Sequence, residues 1–312
     1  MTVPTPAARV TEPQPGAPAR LSGPLGQRLR AAAASTRPRQ WPKNLLVFAA
    51  PLAGATFGRP DGFWYALVAA GAFIAGSSAV YLVNDIVDAE RDRAHPYKRL
   101  RPVASGQLPA SNAVVLAVVL VIIALGSGLL IGEPTLVAVV AAYLVISLLY
   151  SAGLKHLPVV ELACVASGFV LRVVGGAAAT HVPPSGWFLL VCSLGALMVA
   201  IAKRYTELLV LGGDAAKHRP AMRGYSAPVL RLAQRATSVI MVVSYVLWAA
   251  AGPGAEMRSF HLMSSIALVA ALARFDRLTA RATSKPVEDL IARDPIMVIC
   301  ETIWLMLFIA GL

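Results

Sequence analysis

From residue 45 to the end of the chain, apolar stretches close to the roughly 20 residues a helix needs to cross a hydrocarbon core follow one another. They predict spans at 45–58, 63–83, 112–131, 135–151, 158–179, 186–210, 229–251, 259–275 and 295–312, the first short and the eighth with soft edges. Composition agrees: 57% of residues are hydrophobic and 14% charged, and the mean hydropathy is +0.66. These values exclude an ordinary soluble domain. Helices are the expected spanning elements because hydrocarbon offers no partner for an unpaired backbone N–H or C=O. No heptad or solenoid period appears. The expected fold is therefore an all-α integral membrane protein of about nine transmembrane helices, one domain over 37–312.

A net charge of +12 raises nucleic acid as a partner, but where the charges fall argues against it. With the N-terminus in the cytoplasm, nine spans put 25 of the 28 Lys and Arg on the cytoplasmic side, as the positive-inside rule requires of a multi-pass plasma-membrane protein. The C-terminus then lies outside. Outer loops are short and nearly uncharged, so the active surface is expected to face the cytoplasm. Residues 1–36, basic and rich in Pro and Ala without an apolar h-region, read as a disordered tail resting on anionic lipid. Cys164, Cys192 and Cys300 lie in apolar spans without paired spacing and read as small core residues.

Where the second span meets a basic loop stands NDIVDAERD, Asn84 to Asp92. Carboxylates are costly at a membrane boundary. On one continuous helix Asp85, Asp88 and Asp92 would fall within about a 60° arc. Such a face suits Mg²⁺ shared with a diphosphate, since Mg²⁺ takes few carboxylates and completes its shell with water and phosphate oxygens. Lys98, Arg99 and Arg101 follow, placed either as topology signals or as phosphate ligands, and the adjoining carboxylates favour the second.

Three further segments carry charge at the cytoplasmic boundary. RPRQWPKN brings Lys43 and Asn44 to the first span, with a binding role and a mere positive flank evenly balanced. YSAGLKHLPVVE contains Tyr150, Lys155 and Glu161, and Arg172 follows three helical turns later on the same face, too far from Glu161 to pair with it. An intramembrane Arg is a functional candidate or a partner for another helix's carboxylate or carbonyls. In AKRYTEL, Lys203 and Glu207 are spaced for an i, i+4 ion pair, while Lys203 and Arg204 alternatively hold a second anion. No P-loop, GxGxxG, GxSxG or HExxH is present. What remains is metal-assisted departure of diphosphate from an electrophilic carbon.

NDIVDAERD, with RP and Gly106 beyond it, resembles the first signature of the UbiA superfamily of intramembrane prenyltransferases. The resemblance implies a bundle of about nine helices around a cytoplasm-facing polar cavity. Members usually carry a second aspartate motif after the sixth span; KRYTEL stands there instead. RPRQWPKN, GLKH, LRVVGGAAAT and AKRYTEL are similar to a branch that transfers phosphoribose from 5-phosphoribosyl diphosphate (PRPP) to decaprenyl or another polyprenyl phosphate, for cell-wall arabinan. The resemblance implies that Asp85, Asp88 and Asp92 are catalytic and, with Asn84, hold Mg²⁺. It implies that Lys43, Lys98, Arg99 and Arg101 bind donor phosphates and that Asn44 belongs to the substrate site. Tyr150, Lys155, Arg172, Lys203, Arg204 and Glu207 would then complete the substrate site around the acceptor phosphate or the 5-phosphate. A prenyl transfer to an aromatic or quinone precursor is the alternative, and a transporter a weaker one. The expected partners are PRPP, polyprenyl phosphate and membrane lipid, with no nucleic acid; a homo-oligomer stays open.

Overall fold

The computed structural model describes residues 25–56, 60–95, 97–215, 219–251, 255–281 and 286–312, and these contain helices and turns but no strand. The tail expected at 1–24 lies outside them. The remainder of that expected tail is not irregular: Leu25–Ser35 forms helix α1, and Ala31 packs with Leu82, Val103 and Leu108. Its alanine run is a good helix former once it has a surface to cover.

The first predicted span is not a span-length helix. A 3₁₀ segment, Pro38–Phe48, runs into the five-residue α2, Ala49–Ala53. Pro42 and Pro51 each remove a backbone donor, which breaks α-helical bonding where hydropathy alone predicted a crossing. Among the described residues six helices are long and apolar enough to cross a membrane: α3 (Pro60–Val87), α5 (Ala110–Leu130), α6 (Pro134–Ala152), α7 (Val160–Ala179), α8 (Gly186–Leu211) and α9 (Ala227–Ala250). Between α3 and α5 comes the short α4, Ala89–Ala94. After α9 follow α10 (Ala255–Thr279), α11 (Val287–Arg293) and α12 (Pro295–Ala310). The eighth predicted span is thus a longer, less apolar helix, and the ninth has 16 residues.

In α3 the most apolar stretch is 67% buried, against 22% in α5 and in α6, so α3 is a central helix and the other two present most of their surface outward. Alanines 66, 69, 70, 72, 75 and 79 are all buried on α3, and small side chains let helices approach closely where hydrocarbon provides no hydrophobic drive between them. α3 packs on α5, α7 joins α3, α6, α8 and the 3₁₀ segment, α8 packs on α9, and α10 on α12. Gly176 makes the 3₁₀–α7 contact possible: a Cβ there would lie 1.8 Å from the carbonyl oxygen of Val47. Because successive helices reverse direction, the end of α3, the α6–α7 turn, the end of α8 and the start of α12 share one end of the bundle. That end collects the charges.

Candidate active site

The acidic motif does not lie on one helix. α3 stops at Val87, Asp88 has φ −90° and ψ 2°, and α4 begins at Ala89. Hydrogen bonds from Asp88 N–H to the Asn84 carbonyl and from Asp92 N–H to the Asp88 carbonyl carry the turn across the break. The shift still brings Asp85 and Asp92 together, both almost fully buried. One nitrogen of Arg101 lies 3.2 Å from Asp85 Oδ1 and 2.7 Å from Asp92 Oδ2. Arg37 pairs with the same Asp85 oxygen and stacks on the Tyr81 ring at 4.7 Å. Asp88 does not share their arginines: its Oδ1 is buried without a hydrogen bond, and Arg91 approaches it only to 3.7 Å. Asn84 is half-buried beside it.

These donors fit one kind of metal site and not another. Among the described residues no three His, Cys, Asp or Glu close into a metal cage. Two carboxylates within reach of one nitrogen, next to a buried carboxylate oxygen without a partner, fit an ion that draws most of its ligands from phosphate and water, as Mg²⁺ does. Lys98 and Arg99, in a 3₁₀ turn, are exposed and free to reach a phosphate, whereas Arg101 is tied into the acidic pair.

Lys203 does not pair with Glu207, as i, i+4 spacing predicted. Its Nζ lies 2.6 Å from Glu288 Oε1, and Lys43 Nζ lies 2.7 Å from that same oxygen. Burial alone would raise the Glu288 pKa; the two ammonium groups outweigh it and bring the carboxyl down to about 2. Glu207 pairs instead with Arg204, one turn earlier, at 2.6 Å. Arg204 also approaches Glu161, which is fully buried, at 2.8 Å; the contact is ionic, since the N–H is not aimed at the oxygen. Arg219 donates to Glu161 Oε2 and to Tyr150 Oη, each at 3.1 Å. The Val159 N–H donates to Tyr225 Oη at 2.8 Å, which holds a β-branched residue at φ 65°, a strained backbone conformation next to the start of α7.

Arg172 finds carbonyl-type partners rather than a carboxylate. It donates to Asn44 Oδ1 at 2.8 Å, to Tyr143 Oη at 3.2 Å and to the Gly168 carbonyl, with the Tyr143 ring 4.8 Å away. Each of the three guanidinium nitrogens donates once, so Arg172 pins the 3₁₀ segment through Asn44, and two of its five N–H groups are left over. Lys155 is half-buried in the α6–α7 turn and pairs with no described residue. Sequence reasoning missed Arg37, Arg219 and Glu288 as site residues. Arg37 stands inside a motif that was read, but nothing in the spacing signals Glu288, whose partner Lys203 is 85 residues away.

Beside Lys203, Phe169 lies 5.8 Å from the ammonium group and lines an apolar chamber of about 280 Å³ with Val173 and Val199. Leu46 and Cys192 are shared with a second chamber of about 460 Å³, walled by Trp187, Trp248 and Trp304. Sharing these walls, the two chambers adjoin as an apolar cleft, and Phe169 brings its wall next to Lys203.

The sequence pattern of the UbiA prenyltransferase family matches residues 44–291. The decaprenyl-phosphate phosphoribosyltransferase of Corynebacterium glutamicum is 42% identical over 216 residues, which cover 68% of this chain and 65% of that protein. The protein of the same name from Mycobacterium tuberculosis H37Rv is 36% identical over 273 residues, 86% of this chain and 90% of its own length. Among solved structures, a digeranylgeranylglyceryl phosphate synthase is similar with TM-score 0.68 at 17% identity, covering 91% of this chain and 98% of that one. A UbiA homolog from Archaeoglobus fulgidus bound to DMAPP and Mg²⁺ gives TM-score 0.66 at 15% identity, covering 91% and 97%. At such identities the structural likeness speaks of the fold alone, and the sequence match speaks of descent. The acidic motif, the helical bundle and the match across most of its length agree: the chain belongs to the UbiA prenyltransferase family.

Proposed function

We propose that this chain transfers the 5-phosphoribosyl group of PRPP to decaprenyl phosphate or a related polyprenyl phosphate, releasing diphosphate. The supporting observation is that buried carboxylates, surplus cations and the start of an apolar cleft converge at one end of the bundle. Both relatives named above for phosphoribosyl transfer to decaprenyl phosphate are similar over most of this chain. The 3₁₀–α2 segment, α10 and α12 then complete nine membrane crossings around a cytoplasm-facing cavity, with the N-terminus inside.

Asn84, Asp85, Asp88 and Asp92 would hold Mg²⁺. When bound, the ion supplies Lewis-acid stabilisation of the charge that builds on the departing diphosphate. Arg37 and Arg101 sit among the carboxylates and offer guanidinium N–H groups to neighbouring phosphate oxygens. Lys98 and Arg99 extend that grip from the exposed turn. An oxygen of the acceptor phosphate forms the new bond to ribose C1 as the C1–O bond to diphosphate breaks and its electron pair leaves with the diphosphate. The acceptor oxygen is already ionised, so no general base is required. What the protein must do is hold two anions together, and the lysines reduce their repulsion.

The test offers the purified chain labelled PRPP, or a polyprenyl diphosphate with an aromatic acceptor, in the presence of Mg²⁺. PRPP-dependent labelling of polyprenyl phosphate is expected, lost in Asp85→Ala. Activity with the prenyl diphosphate alone would overturn the reading.

A further inference from the structure

Lys43 and Lys203 come from separate parts of the fold, the 3₁₀ segment and α8, yet both reach a single oxygen of Glu288. Two ammonium groups converging on one oxygen make an anion seat, and here the seat is filled by the protein. No described residue engages the second carboxylate oxygen. Lys203 adjoins Phe169 on the wall of the apolar cleft, and Leu46, one turn beyond Lys43, lines both chambers. A lipid whose chain occupied the cleft would bring its headgroup to this seat.

We propose that Glu288 is a stand-in for the acceptor's phosphate: it holds Lys43 and Lys203 in position until the lipid phosphate displaces it, and so sets the affinity for the acceptor. The proposal rests on the functional reading above. It also reassigns Lys43, which joins Lys203 in one acceptor seat instead of gripping the donor.

Charge requires the exchange. Two lysines balance one phosphate dianion, and a carboxylate left in place would face that dianion at a few ångströms with no cation to spare. The geometry permits it. Val287, next to Glu288, is buried against the cluster of Met198, Ala202 and Phe275, so the backbone is anchored, while the Glu288 side chain is 35% exposed and can rotate outward. With its folded pKa held near 2, below the ordinary value of about 4.3, Glu288 stays ionised above that range and loses its charge only as pH falls toward 2. Its own charge is therefore constant across working pH.

The test compares wild type with Glu288→Gln, which keeps the shape and removes the charge. Equilibrium binding of farnesyl phosphate without PRPP is expected to tighten about fivefold, and the acceptor KM to fall by about the same factor, as expected when one part-exposed ion pair no longer competes. The PRPP KM is expected to stay within about twofold. Glu288→Asp, whose carboxylate is drawn back by one methylene, is expected to change binding in the same direction by a smaller factor, and it serves if the Gln variant folds poorly. Adding Lys203→Met to Glu288→Gln is expected to abolish the gain. Unchanged or weaker binding of farnesyl phosphate by Glu288→Gln would overturn the proposal, as would an effect confined to PRPP. The arms separate the two readings: wild type that makes no PRPP-dependent product refutes the reaction, whereas the binding arm judges the seat by itself.

Discussion

The acidic motif after α3 and the cluster of Glu161, Arg204, Glu207 and Arg219 near the ends of α7 and α8 hold similar mixtures of carboxylates and guanidiniums, but they stand differently toward solvent. In the first, Arg37 and Arg101 are each 30% exposed at the side chain and Asp88 keeps a buried oxygen without a partner. In the second, Glu161 is fully buried and Arg204 is only 9% exposed at the side chain, while Arg219, at 28%, is as open as the arginines of the first; the charges of Glu161 and Arg204 are spent inside the cluster. A ligand can enter the first by exchanging counterions that water already reaches. The second behaves as a clasp, holding the connection that carries Arg219 and Tyr225 against the start of α7. Charge content alone does not distinguish a binding site from a fastener; the difference here is the ion pair of Glu161 and Arg204, buried on both sides, which the first cluster lacks.

Asp85→Asn should break the first cluster at its function. Transfer from labelled PRPP is expected to fall on the order of a hundredfold with the fold intact, and the Mg²⁺ concentration for half-maximal rate to rise. Near-normal transfer at ordinary Mg²⁺ would remove this cluster from the reaction. Glu161→Gln should break the second at its stability. Arg204 and Arg219 would be left without their buried partner, a loss of about 3 kcal/mol measured as a lower unfolding midpoint in detergent, while the Mg²⁺ dependence of the surviving protein stays unchanged. If Glu161→Gln shifted that dependence instead, the clasp would be part of the site.

Much of the bundle was legible because span-length apolarity is a local property. α3 and α5 through α9 fall where hydropathy put them. The first span does not form one span-length α-helix because prolines act on backbone hydrogen bonds, which hydropathy does not register. NDIVDAERD was legible as a charged surface, but the bend at Asp88 was not, since no proline or glycine marks it. Arg172 illustrates the other limit. Its place in a span announced an important residue, while its partner Asn44 lies 128 positions away and only the folded chain joins them.

Gly176 tests how that long-range contact is made. A methyl group added there would push into the Val47 carbonyl and lift the 3₁₀ segment off α7. Gly176→Ala is expected to cost about 2 kcal/mol in stability. The acceptor KM is expected to rise several-fold, because Lys43 and Asn44 ride on the displaced segment, with a smaller effect on the PRPP KM. Equal effects on both substrates would mean that the segment serves the whole site and not one seat.

The smallest effect is expected where the structure leaves cations without partners. Lys98 and Arg99 project from an exposed turn beside the acidic pair, so removing either breaks no described ion pair and should leave the unfolding midpoint unchanged. If they steer and hold the donor's phosphates from solvent, Lys98→Ala or Arg99→Ala should raise the PRPP KM about twofold to threefold at low ionic strength. The difference should shrink as salt approaches about 0.15 M, where the screening length is near 8 Å. The acceptor KM and kcat should not move. An effect on kcat that salt does not screen would place these residues in direct contact with the reacting group, and the open cluster would then extend from Asp92 through the turn.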